Sequence, residues 1–116
     1  MTRIQASADV FVAVAEPQRR RILDLLSAGE LPVNDIVKYL HISQPLASKH
    51  LRILRTVDLV TVRNLAQQRF YRLNAARLKP IHQWLGSFEQ FWEESFDRLD
   101  VYLQDLQRRE SNDRVP

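Results

Sequence analysis

The stretch Ile-Ser-Gln-Pro-Leu-Ala-Ser-Lys-His-Leu-Arg-Ile-Leu at residues 42–54 limits the fold more than any other part of the chain. Ser43 can cap a helix by accepting a backbone hydrogen bond, and Pro45 suits a first turn, where its missing N–H is not needed. Ala47, Leu51 and Leu54 then fall on one stripe with Leu46 and His50 at its edges, while Gln44, Ser48, Lys49 and Arg52 point elsewhere. No acidic residue occurs between Asp35 and Asp58, so a polyanion can approach this face without repulsion. That charge pattern favours a DNA-reading helix over an ordinary surface helix, which usually carries Glu and Lys in quantity.

A chain of 116 residues fits one domain and is short for a self-contained enzyme with a deep pocket. With 45% hydrophobic residues and only 2 Gly, helices are favoured over turn-rich β structure. The absence of Cys excludes disulfides, thiolate catalysis and sulfur-ligated metals, and it fits a reducing cytoplasm. The net charge of +3 is uneven, because residues 1–73 hold 11 Lys/Arg against 6 Asp/Glu and residues 74–116 hold 6 against 8. A nucleic-acid-facing part followed by a part with another job is therefore expected. The apolar run Val-Phe-Val-Ala-Val-Ala at residues 10–15 is too short for a signal peptide, and no run is long enough to span a bilayer. A soluble, cytoplasmic protein with no membrane partner is the expectation.

In chain order, residues 7–15 read as a small amphipathic helix with Val10, Phe11 and Val14 on one side. Pro17 opens a second helix to about Ser27, with Ile22, Leu23, Leu25 and Leu26 facing a core and Ala28-Gly29 marking its end. Arg19, Arg20 and Arg21 sit in its first turns, where cations oppose the helix dipole. They are either a solvated basic face or phosphate contacts. Leu31-Pro32 offers a short extended piece, residues 33–40 a third helix with Ile36, Val37 and Leu40 inward, and His41-Ile42 a tight turn into the helix at Ser43. The result is a helix-turn-helix.

Residues 59–63 and 69–73 are strand-like, with Asn64-Leu65-Ala66-Gln67-Gln68 as the loop between them. The pair predicts a β-hairpin wing. Arg63 and Arg69 flank the loop and are either phosphate or minor-groove contacts or solvated strand ends. From Asn74 to about Arg109 a long helical region carries Trp84, Leu85, Phe88, Phe91, Trp92, Phe96 and Leu99 at steps of threes and fours. Pro80 falls in its first turn, and Gly86 marks a bend or a close helix contact. Self-association is the simplest use of so much apolar surface, by packing of this helix and the residue 7–15 helix against their copies in a twofold dimer. An aromatic ligand pocket in that seam is the alternative use.

The order of helix, Pro-x-Arg-Arg-Arg-Ile-Leu, helix-turn-helix, wing and long terminal helix resembles the ArsR/SmtB family of bacterial winged-helix transcriptional repressors. The matching pieces are Glu16-Pro17-Gln18-Arg19-Arg20-Arg21-Ile22-Leu23, Ser43-Gln44-Pro45 through Ser48-Lys49-His50-Leu51-Arg52-Ile53-Leu54, and Arg69-Phe70-Tyr71-Arg72-Leu73. The resemblance covers nearly the whole chain and implies a homodimer that binds an imperfect inverted repeat in a promoter and is released by a signal. Many such relatives sense metals through a Glu-Leu-Cys-Val-type motif, where this chain has Glu30-Leu31-Pro32-Val33. The family's other site uses an Asp-x-His pair, where this chain has Pro80 before His82. Neither site is intact, so a metal-independent member with no cofactor is implied.

The expected fold is mainly α with a small β-hairpin, a winged helix-turn-helix dimerised through its N- and C-terminal helices. Residues 1–116 form one domain: 1–15 and 74–109 dimerise, 16–73 make the DNA-binding core and wing, and 110–116 fray. The expected partner is double-stranded DNA, with Gln44 and Lys49 at base edges, Ser48 tolerant of either base, Pro45 in the contacting turn, and Ser43, Arg52, Arg63 and Arg69 on phosphates. Alternatives are a winged-helix protein-interaction module and a ligand- or metal-responsive sensor with an atypical site. No nucleophile–base pair, glycine-rich phosphate loop or carboxylate pair points to an enzyme. An inducer is not legible.

Overall fold

Helix starts and stops set the order of elements in the computed structural model, which describes residues 6–113, with side chains within 10–111. The expectations for residues 1–5 and 114–116 lie outside that range. Helix α1 is Ala6–Val14. Helix α2, Pro17–Leu26, has Pro17 in its first turn, and the Glu16 carboxylate accepts from the Arg19 N–H at 3.0 Å. Strand β1, Leu31–Pro32, leads into helix α3, Val33–Leu40. His41 takes a left-handed conformation (φ 55°) that turns the chain sharply. Helix α4, Gln44–Thr56, then starts where Ser43 Oγ accepts from the Leu46 N–H at 3.3 Å.

A Schellman motif ends α4. The Leu59 N–H donates to Leu54 O and the Asp58 N–H to Arg55 O, each at 3.0 Å, with Asp58 left-handed at φ 63°. Leu54 and Leu59, both fully buried, complete the motif's hydrophobic contact. Strand β2, Val60–Leu65, follows at once and pairs antiparallel with β3, Gln68–Leu73. The wing is thus tied directly to the end of α4, and the Asn74 N–H returns to Leu59 O at 2.8 Å to close the loop.

The sheet has three strands in the order β1-β3-β2, because Leu31 pairs with Tyr71 and Pro32 with Phe70. The expected hairpin therefore gains an edge strand, a position in which Pro32's missing N–H is tolerated. The loop between β2 and β3 is shorter than the sequence suggests: Leu65 pairs with Gln68, leaving only Ala66 and Gln67 as the turn. Both have positive φ, 50° and 66°, a type I′ arrangement normally filled by Asn and Gly.

The core gathers Ile22 and Leu26 of α2, Ile36 of α3, Leu51 and Leu54 of α4, and Leu59, Val60 and Tyr71 around the wing. Val10 and Ala13 belong to the same core. This corrects the expectation for Val10: at 0% exposure it packs within its own chain and offers no surface to a second copy. Leu78 and Ile81 pack against the edge of this core from the 3-10 turn Ala75–Leu78 and the start of helix α5, Lys79–Gly86.

The chain divides into two compact units, one ending at His82 and the other beginning at Gln83. In the second, the helical region breaks after Gly86, where the Ser87 and Phe88 N–H groups close tight turns onto Trp84 O and Leu85 O. Helix α6 then runs Glu89–Asp113. It continues past Arg109, where fraying was expected from residue 110, because no Gly or Pro interrupts the run before its end. No side chain of this second unit is buried among the described residues.

Candidate nucleic-acid interface

Helix α4 separates its residues as the stripe predicts. Ala47, His50, Leu51 and Leu54 are buried, whereas Gln44, Pro45, Lys49 and Arg52 are exposed and Ser48 is half-buried. Ser43 stands at the exposed helix start, its oxygen engaged by the cap. No acidic residue lies in the first turn, so the positive end of the helix dipole is uncompensated there and suits an anion. Arg55, outside the set picked from sequence, is also exposed and extends the basic edge in the last turn. Its one-turn spacing from Arg52 was the signal that could have found it.

The wing sets the two arginines that flank its turn on different faces. The β2/β3 register puts Arg63 and Arg72 on one face of the hairpin and Arg69 and Tyr71 on the other. Arg63 is ion-paired with Glu30, and both line a shallow cavity of about 500 Å³ with Arg72. Arg69 instead lies over the Tyr71 ring, 5.9 Å from its centroid, in a cation–π contact that leaves the guanidinium exposed. A phosphate would have to compete with Glu30 for Arg63 but not for Arg69.

The arginine run in α2 has a third use that sequence reasoning missed. Arg19 Nε donates to Ala13 O at 2.6 Å, and Arg20 donates to Val14 O at 2.7 Å and Ala15 O at 3.2 Å. Arg21 reaches Leu40 O at 3.4 Å and Gln18 Oε1 at 2.8 Å. The first two cover orphan carbonyls at the negative end of α1, and the third does so for α3. Their unfavourable place at the start of α2 is offset by favourable places at the ends of its neighbours. Three cations against a helix dipole were the available signal.

His50 sits behind the outward face and is only 6% exposed. Its Nδ1 lies 3.5 Å from an Arg19 Nη, and its Nε2 lies 3.8 Å from Glu16 Oε2. Burial pushes its pKa below the usual histidine value; Glu16 opposes that shift, and the charges of Arg19 and Lys49 reinforce it.

The residues picked for self-association fall into two groups. On α1, Val14 is half-buried against the core and Phe11 half-buried, while Val12, not picked, is 64% exposed. In the second unit, Phe91 and Phe96 are more than 60% exposed, Trp84, Phe88, Trp92 and Leu99 are also exposed, and Leu85 is half-buried. Trp84 and Phe88 meet edge to face at 5.5 Å.

Residues 16–62, from the Glu16 cap to β2, match the model of the family described as bacterial regulatory protein, arsR family. The transcriptional repressor SdpR of Bacillus subtilis is 36% identical over 80 residues, 69% of this chain and 89% of that protein. The arsenical resistance operon repressor of Staphylococcus xylosus is 38% identical over 74 residues, 64% of this chain and 71% of the relative. Among solved structures, a homodimeric winged helix-turn-helix DNA-binding domain from Mycobacterium bovis superposes with a TM-score of 0.60 at 31% identity, covering 73% of this chain and 82% of that one.

Proposed function

We propose that this chain, which belongs to the ArsR family of bacterial regulatory proteins, is a cytoplasmic repressor that binds an imperfect inverted repeat in a promoter as a homodimer. The family and fold are those of DNA-binding transcriptional regulators and not of enzymes. The observation that carries the proposal is the outward face of α4, capped at Ser43, free of acidic residues and presented beside a wing. Two copies would set their α4 helices in successive major grooves about 34 Å apart. Residues 16–73 read DNA, with Gln44 and Lys49 at base edges, Ser48 beside them, and Ser43, Arg52 and Arg69 on phosphates. Arg63 contributes less, because Glu30 holds it. The exposed aromatic face from Trp84 to Leu99 joins the two copies, and α1 makes its own contact with the second copy through Phe11 and Val12.

The signal that releases DNA is, on this reading, not a metal captured by the family's usual sites. The chain has no Cys, and Pro80 stands two residues before His82 where the family's other site has an Asp. Operator binding should then be unchanged by zinc or arsenite. The function is tested by retention of fragments from the chain's own promoter region over random duplex; equal retention of both would refute it.

A further inference from the structure

Arg19 touches two helices with different jobs. Its Nε and one Nη reach Ala13 O and Val12 O of α1 at 2.6 and 3.3 Å, while its other Nη reaches His50 of α4 at 3.5 Å. Arginine carries only donors, so His50 Nδ1 must be the acceptor and the ring proton of the neutral imidazole must sit on Nε2. Nε2 lies 3.8 Å from Glu16 Oε2, and the same oxygen accepts from the Arg19 backbone N–H at 3.0 Å. Glu16, Arg19 and His50 thus close a ring of contacts linking α1, the start of α2 and α4.

We propose that this ring is a positioning clasp that fixes the recognition helix against α1, and that protonation of His50 opens it, so that DNA binding weakens in mild acid. The inference rests on the DNA-binding reading above. A proton on Nδ1 removes the acceptor that Arg19 uses and sets two cations 3.5 Å apart. Lys49, the neighbouring cation on α4, adds to the repulsion, and among the described residues Glu16 is the facing anion that opposes it. Glu16 cannot follow the imidazolium without loosening its cap on α2. With α1 at the seam between copies, a small tilt of α4 in each changes the separation of the two reading helices. His50 acts here through α4 and touches no base or phosphate.

His50 is held below its ordinary value, so the neutral form is the native one; its contribution is whole above about pH 6.5 and is lost as the pH falls through and below that value.

His50→Gln provides the test, since the Gln amide offers one acceptor and one donor and does not titrate. Affinity of the full chain for its operator is measured at about pH 7.5 and about pH 5.5 at constant salt. H50Q should match the parent at the higher pH, and the parent should lose about threefold or more relative to H50Q at the lower one. His41 and His82 are common to both proteins, so any contribution they make cancels in that ratio. Identical pH profiles would overturn the clasp. Nitrogen NMR of the parent's imidazole gives a second reading that needs no DNA: the Nε2–H tautomer supports the clasp and the Nδ1–H tautomer refutes it. Failure of the parent to prefer its operator at the higher pH would instead refute the DNA-binding reading, and the tautomer would still decide the clasp.

Discussion

Helices α4 and α6 are both rich in large apolar residues and turn them in opposite directions. In α4, Leu51 and Leu54 are fully buried and the exposed side is polar and basic. In α6, Phe91, Phe96, Leu99, Tyr102 and Leu103 stand in solvent. Burying one such aromatic is worth on the order of 2 kcal/mol, so the face of α6 represents a large stabilisation not realised by a single chain. On the function proposed above, the reading head is finished as a monomer and the terminal helix is finished by a second copy.

The most severe way to break that contrast is to make α6 polar. Phe96→Glu with Leu99→Glu should leave a monomer in sedimentation and lower operator affinity by about 100-fold or more, because two linked heads bind far better than one. The thermal transition of the first unit should hardly move. A double variant that stays dimeric would show that the exposed face serves another end.

The outward side of α4 gives the next effect in size. Lys49→Ala should cost about 1–3 kcal/mol at the operator and relax preference at one base position, with little loss on random duplex, as read by competition binding. Equal losses on both would move Lys49 from base edge to phosphate.

Within the head, the wing turn offers a gain. Ala66→Asn with Gln67→Gly fills two left-handed positions with residues that accept them, and should raise the melting free energy by about 1 kcal/mol. The smallest effect separates the wing arginines. Arg69→Ala should reduce the salt slope of DNA binding by about 1, whereas Arg63→Ala should change it less, because Glu30 already neutralises Arg63. Equal slopes would remove the distinction between the hairpin's two faces.

Local chemistry was legible from the sequence and long-range reach was not. Ser43, Pro17 and Pro45 mark helix starts by rules that act over a single turn, and the helix over residues 33–40 lies where its apolar spacing puts it. The hairpin strands were found by their β-branched and aromatic residues, but their turn was set too wide, since Ala66-Gln67 carries none of the usual turn residues. Pairing of Leu31 with Tyr71 depends on residues far apart in the chain, which periodicity cannot see. The same holds for the site. The faces of α4 follow from spacing, yet the arginines of α2 act on carbonyls of α1 and α3. Val10 looked like seam and proved to be core, because a stripe on a short helix does not say which of two apolar neighbours it meets.

Footprinting of the full chain on its own promoter region decides most directly whether this is a paired DNA-reading device. Two protected half-sites centred about one helical turn apart, filled by two chains together, are expected. Protection no stronger than on random duplex, or a single half-site filled by one chain, would contradict it.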